Sequence, residues 1–369
     1  MAIASESLRN LCLQNLLRYP DLIENGFEDL PLEITQAILH SSIRSYNLTT
    51  FKHVLKFWPM RVVVLRGNSY LEEEGQFVGK AVAEYIPERD ETDTVQVIDI
   101  RERDLGFDGT TALCRAVIAA NKPINLTDVS SGTSPNRADN LTGAKLNSNV
   151  NPTSFLTIHL DISVNHSNPD TVFKALESNN GPVRLFVSSL TVVQLGDDRL
   201  CRFLKLLNPD HLLKLDFSYN GLAFYDNVNV ELSTIFQEMK KFTKLRSLCL
   251  SYSDFGESHL RSLSEILQEL PCLVSLDLSG NYVGSSVGIV LNSVRKPLNC
   301  LRLAKCRIGN AGIEAIARSK HASQLMELDV SRNCLSSECM ENLLYIFESS
   351  KNTMREFCVH GNQVPPLLG

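Results

Sequence analysis

The chain is poor in several things that would mark a catalyst, a membrane protein or a nucleic-acid binder. It has one tryptophan, and no apolar run approaches the ~20 residues that a membrane-spanning helix needs. Its start lacks a basic stretch followed by an apolar run, so no secretory signal is expected. Positive charge is not in excess: 36 Lys and Arg face 42 Asp and Glu, a net charge of −6. Bulk electrostatics therefore argue against nucleic acid and anionic membranes as partners. The ten cysteines include no Cys-x-x-Cys pair, so no metal site is expected, and they read as reduced thiols of a cytoplasmic or nuclear protein. There is no Gly-x-x-x-x-Gly-Lys loop. Intrinsic catalysis and a bound cofactor are not expected.

What is abundant is one periodic pattern. Between Leu212 and Val364 the arrangement apolar-x-x-apolar-x-apolar-x-x-(Asn or small polar)-x-apolar occurs six times. The first copy is Leu212, Leu215, Phe217, Asn220 and Leu222, and the last is Met354, Phe357, Val359, Asn362 and Val364. Copies start 25 to 33 residues apart, the period and pattern of a leucine-rich repeat. Alternating apolar residues send one face of a short strand inward. The ninth-position Asn, Ser or Cys satisfies backbone groups where the buried chain turns. Between copies lie helical stripes such as Leu260, Leu263, Ile266 and Leu267, closed by Pro271. No copy buries its apolar face alone, so the copies are expected to stack. The fold class expected is α/β: a leucine-rich-repeat solenoid, a curved parallel sheet with outer helices, behind a small N-terminal helical unit.

The helical unit is placed at residues 1–60 and the solenoid at 61–369, with irregular repeats over 61–211 and regular ones over 212–364. Ser7 to Leu17 put Leu8, Cys12 and Leu16 on one helical face. That stripe either packs on the first repeat or docks into another protein's groove. Pro31 fits a first helical turn, and the Ser41–Asn47 region reads as the turn between two helices. Trp58 is expected at the junction with the array. Arg61 to Leu65 reads as a buried strand, and eight or nine strands are expected in all. Residues 121–151 are polar and almost without aliphatic clusters, so a mobile insertion is expected there.

Several features then coincide: the helical front with Trp58-Pro59, the strand Val97-Ile98-Asp99-Ile100-Arg101, and the segment Ala317-Arg318-Ser319-Lys320-His321-Ala322 ahead of a repeat strand. Together they resemble the PRAME family of leucine-rich-repeat proteins, from about Leu8 to Asn362. That resemblance implies a substrate-recognition subunit of a cullin-2 ubiquitin ligase, attached through elongin B/C. The family's elongin-binding motif matches Ser7, Leu8, Cys12 and Leu16, and its cullin box matches Leu30, Pro31 and Ile34. Leu30-Pro31-x-Glu33-Ile34 with Ile38-Leu39 and Phe57-Trp58 also resembles an F-box, which implies Skp1 and cullin-1 instead. A branch of the family is associated with damping NF-κB signalling, which a ligase or a simple covering module would serve. The array stops at Pro365-Pro366-Leu367-Leu368-Gly369 without a polar capping repeat, which implies a shortened chain or a partner over that end.

Residues between and just after the apolar strand positions are expected on the concave face, where an unknown protein substrate would bind. One row includes Asp216, Asp277 and Arg302, the next Ser218, Ser251, Ser279 and Ser331, the third Tyr219, Tyr252, Lys305 and Arg332. Of these, Asp216, Tyr219, Tyr252, Asp277, Arg302, Lys305 and Arg332 are the candidate substrate-binding residues, Tyr and Arg being common anchors. Any one of them is equally well a plain solvated position.

Overall fold

The structure is a computed structural model that describes residues 30–66, 72–90, 93–122, 155–195, 197–222 and 229–364, together with Asn15. Ten strands form one sheet, every pair parallel, in the order of the chain. They are β1 (Val62–Val64), β2 (Val97–Asp99), β3 (Leu156–Val164), β4 (Val183–Val192) and β5 (Lys214–Asp216), then β6 (Ser247–Cys249), β7 (Ser275–Asp277), β8 (Cys300–Arg302), β9 (Glu327–Asp329) and β10 (Glu356–Cys358). A helix lies between each strand and the next, so each strand–helix pair is one repeat. This is the α/β leucine-rich-repeat solenoid that the pattern predicts, with ten strands among the described residues rather than eight or nine.

The regular strands are three residues long because only the central residue is buried. Leu215, Leu248, Leu276, Leu301 and Leu328 stand directly opposite one another in successive strands, each all but inaccessible to solvent. The ninth-position residues then close the turn. Asn281 donates to the carbonyls of Leu250 and Leu278, both at 2.8 Å, and accepts from the N–H groups of Ser253 and Phe255. Asn333 does the same two repeats on. Ser253 and Cys306 fill that position with single donors, to the carbonyls of Phe217 and Leu278.

The longer β3 alternates buried and half-buried residues along its whole length, and its pairing with β4 shifts between Leu160 and Asp161. Ser188 is the extra residue of that bulge. The shift aligns Asp161 with Ser189 and Lys214, and so brings the irregular front strands into register with the regular array.

At the front, α1 (Leu32–Arg44) and α2 (Leu48–Lys56) precede β1. Pro31 occupies the cap position of α1 rather than its first turn. The turn is confined to 45–47, because Asn47 caps α2 by accepting from the Thr50 N–H. Trp58 is 4% exposed and donates its indole N–H to the Val62 carbonyl, which pins the helices to the sheet edge. Ile38, Phe51 and Leu55 belong to one continuous core with Leu276 and Ile346.

Two expectations need correction. Arg61 to Leu65 is not a buried strand: β1 is the sheet edge, and Val62 and Val64 are 45% and 54% exposed while Val63 is buried. The insertion does not begin at Asn121, which is anchored by donating to the Ser178 and Val183 carbonyls and accepting from the Val183 N–H. The rest of the 121–151 segment, apart from Lys122, lies outside the described residues.

Candidate ligand-binding face

The register sets which side chains share a row on the sheet face opposite the buried leucines. Asp216, Cys249, Asp277, Arg302, Asp329 and Cys358 are aligned across β5 to β10. The acids in this row are partly committed to their own loops. Asp216 accepts from the N–H and hydroxyl of Ser218, Asp329 likewise from Ser331, and Asp277 from the Ser279 N–H at 2.9 Å. The serines are consequently buried, and the expectation that their row faces a ligand fails. They are part of the turn, not of its surface.

A row missing from the sequence reading lies two residues earlier: Lys214, Ser247, Ser275, Cys300, Glu327 and Glu356. Period-2 alternation was the signal that identifies it. Here Glu327 pairs with Arg302 at 2.8 Å, so the Arg302 guanidinium already has an anionic partner. Burial pushes the Cys300 thiol up to about 11. Burial, then Asp216 and Asp277, raises that of Cys249. Neither thiol is poised as a thiolate nucleophile.

The third row is the rim, where the chain leaves the strand. Tyr219, Tyr252, Gly280, Lys305, Arg332 and Gly361 all have left-handed backbone, with φ between 51° and 72°. For a residue with a Cβ this conformation costs roughly 1–2 kcal/mol, so four repeats carry a side chain where glycine is cheaper. The two glycines are the visible trace of the geometry. Tyr219 and Tyr252 stack with parallel rings, centroids 4.7 Å apart and planes 5° apart. The Lys305 ammonium sits 5.4 Å from the Tyr252 ring centroid. Tyr252 leans over Gly280, and Arg332 over Gly361, which lack the Cβ that would block them. Just past the rim, Arg307 stacks on Tyr282 at 4.9 Å. Gly280→Ala would place a Cβ 2.5 Å from the Tyr252 ring and force alanine to φ 72°. The expected loss is about 1–3 kcal/mol, measured as a lowered urea midpoint, with Gly288→Ala as the control because its Cβ meets only an ordinary contact at 3.5 Å.

The irregular front of the face is different. Asp99 is buried and held by Arg66 and Arg101, each with N–O distances of 2.6 Å. Beside it, His159 stacks on Phe186, whose edge meets His211. Burial holds the His159 imidazole below its ordinary range; the Asp99 carboxylate opposes this, and the charges of His211 and Arg66 act with it. Sequence reasoning missed this cluster because β2 to β4 do not follow the repeat pattern.

Of the candidate attachment residues, Ser7, Leu8, Cys12 and Leu16 lie outside the described residues. Leu30 and Ile34 are half-buried against the core edge at the start of α1, and Pro31 is exposed. Among the described residues no cluster of three metal-binding side chains forms, and no helix is long and apolar enough to cross a membrane.

Comparison with known proteins agrees with the fold. A family model described as Leucine Rich repeat matches residues 296–317. Leucine-rich repeat-containing protein 14 of Xenopus laevis is 27% identical over 201 residues, 52% of this chain and 38% of the relative. The Homo sapiens protein of the same name is 27% identical over 206 residues, 53% of this chain and 41% of the relative. The match thus spans about two fifths of these relatives' length. Among solved structures, the yeast Rad7 and Elc1 complex superposes with a TM-score of 0.39 and 12% identity, covering 93% of this chain and 82% of that one. That superposition is too loose to transfer a partner.

Proposed function

We propose that this chain, a leucine-rich-repeat protein related to the proteins named leucine-rich repeat-containing protein 14, recognises a protein substrate for a ubiquitin ligase and performs no chemistry itself. The observation that carries the recognition half is the rim, where four side chains are held on costly left-handed backbone. Such strain is commonly kept where a side chain has work to do. The attachment half rests on the resemblance of Ser7, Leu8, Cys12 and Leu16 to an elongin-binding helix, and of Leu30, Pro31 and Ile34 to a cullin-2 box. Leu30 and Ile34 being only half-buried is compatible with a docked partner there. The nine unpaired cysteines among the described residues suit a cytoplasmic or nuclear setting. Damping of NF-κB signalling is the proposed outcome of capturing the substrate.

The test is co-purification of the full chain with elongin B/C and, separately, with Skp1. Elongin B/C is expected to be captured, and Leu8→Ala with Cys12→Phe to reduce capture at least about tenfold, because a buried apolar anchor is lost and a small contact is overfilled. Capture of Skp1 alone would move the chain to the F-box class. Capture of neither by a folded sample would leave a binding module that acts by covering its partner.

A further inference from the structure

We infer that the rim binds an extended acidic segment of the partner protein, with an aromatic or proline residue of that segment on the tyrosine stack. This deepens the proposed function and rests on its reading of the face as the protein-binding surface. Three exposed cations stand at the later repeats of the face: Lys305 and Arg332 on the rim and Arg307 just past it. Among the described residues none of them forms an ion pair, whereas Arg302, in the strand row beside them, is paired with Glu327. Lys305 and Arg307 meet only the faces of Tyr252 and Tyr282, contacts that leave the cations open to an anion. In a chain of net charge −6, this is local positive charge without a local partner.

The face also sets the direction of the ligand. Asp254 is exposed at the aromatic end, next to Tyr252, and would repel a carboxylate there. The strand row below carries Asp216, Asp277 and Asp329, so an acidic segment is favoured along the rim and disfavoured on the strands. The stacked Tyr219 and Tyr252 offer an apolar platform at one end, and the cations follow at the other. From β6, which precedes Tyr252, to β9, which precedes Arg332, there are three strand spacings, about 14 Å. An extended peptide covers that distance in about four residues. The ligand is therefore an aromatic or proline residue followed, about four residues along, by a cluster of carboxylates.

The experiment uses the purified full chain and a fluorescein-labelled peptide with one tryptophan and a run of glutamates about four residues away. Anisotropy is expected to show binding that weakens as salt rises. Lys305→Glu with Arg332→Glu should lose at least about tenfold in affinity, and Tyr252→Ala about tenfold, while Lys305→Arg retains binding. Lys305 and Arg332 are exposed and Tyr252 is half-exposed, and a circular dichroism melt checks that each variant is folded. Equal affinity for a peptide with lysines in place of the glutamates would overturn the inference, as would unchanged affinity of the double variant. Tighter binding of an oligouridine, lost on the same substitutions, would overturn it in favour of single-stranded nucleic acid. Absence of peptide binding with elongin B/C capture intact overturns this inference alone. Peptide binding by a chain that captures no elongin overturns the ligase reading alone.

Discussion

Asn333→Ala is expected to cost about 3–6 kcal/mol, a large share of the 5–15 kcal/mol that holds a typical protein folded. Asn333 is completely buried. Its side-chain oxygen accepts from the N–H groups of Cys306 and Ile308, and its amide donates to the carbonyls of Leu303 and Ser331, at distances from 2.7 to 3.3 Å. Each buried backbone group left without a partner costs about 1–3 kcal/mol, and partial relaxation returns some of the total. Asn333→Asp separates the two halves of the role. The carboxylate still accepts from Cys306 and Ile308, but now faces the carbonyls of Leu303 and Ser331 with no proton to give. It should destabilise about as much as alanine at neutral pH and recover part of the loss in acid, where protonation restores a donor. Asn362 makes the equivalent bonds one repeat later but is half-exposed. Water substitutes there, and Asn362→Ala should cost only about 1–2 kcal/mol. Urea unfolding gives the energies. Amide hydrogen exchange at Cys306 and Ile308 gives the location: retained protection in Asn333→Ala would show that the side chain is not what holds this turn.

That turn was legible in the sequence because its chemistry recurs at the ninth position with a small set of residues. The regular strands were legible for the same reason, since the leucine at the centre of each of β5 to β9 has no other place to go. The front of the array was not. Between β1 and β4 the spacing of apolar residues is broken by a bulge at Ser188 and by an insertion, so the row of Asp99, His159 and Phe186 appears only once the register is known. On the ligand face, the candidates Tyr219, Tyr252, Lys305 and Arg332 are on one rim, while Asp216, Asp277 and Arg302 are in a separate row. The repeat pattern alone already separates these two rows. What it does not show is that Arg302 is paired with Glu327 while, among the described residues, the rim cations have no ion pair. Nothing in the letters Tyr, Lys or Arg signals left-handed backbone. Only Gly280 and Gly361 at the same repeat position hint at it.

His321 shows how a residue useful for recognising a resemblance acquires a physical reason. It sits in the Ala317 to Ala322 segment and is wholly buried. Nδ1 accepts from the Leu298 N–H at 2.9 Å, and Nε2–H donates to the Leu291 carbonyl at 2.8 Å. The imidazole is therefore the neutral tautomer protonated on Nε2, and it fastens the turn after one repeat's helix to the backbone of the repeat before it. His321→Ala leaves both backbone groups buried without partners and opens a cavity, for an expected loss of about 3–5 kcal/mol. The same burial gives a pH dependence. Burial lowers the folded-state pKa below the ordinary 6.5, the Leu291 bond opposes this, and Lys320 adds to it. Below about pH 6.5 the unfolded chain takes up a proton that the folded chain refuses. Stability is thus full above that pH and falls as pH drops toward the folded value, by up to about 1.4 kcal/mol per pH unit from this one group. Burial also lowers His159, so the whole chain should be steeper than one histidine requires. His321→Gln removes one titrating group while keeping a donor and an acceptor. Its urea stability should decline less steeply than the parent's between pH 6.5 and 5, by up to one proton's worth of slope. Identical slopes in the two proteins would mean that His321 takes up its proton as readily in the folded chain as in the unfolded one, against its role as an Nδ1 acceptor.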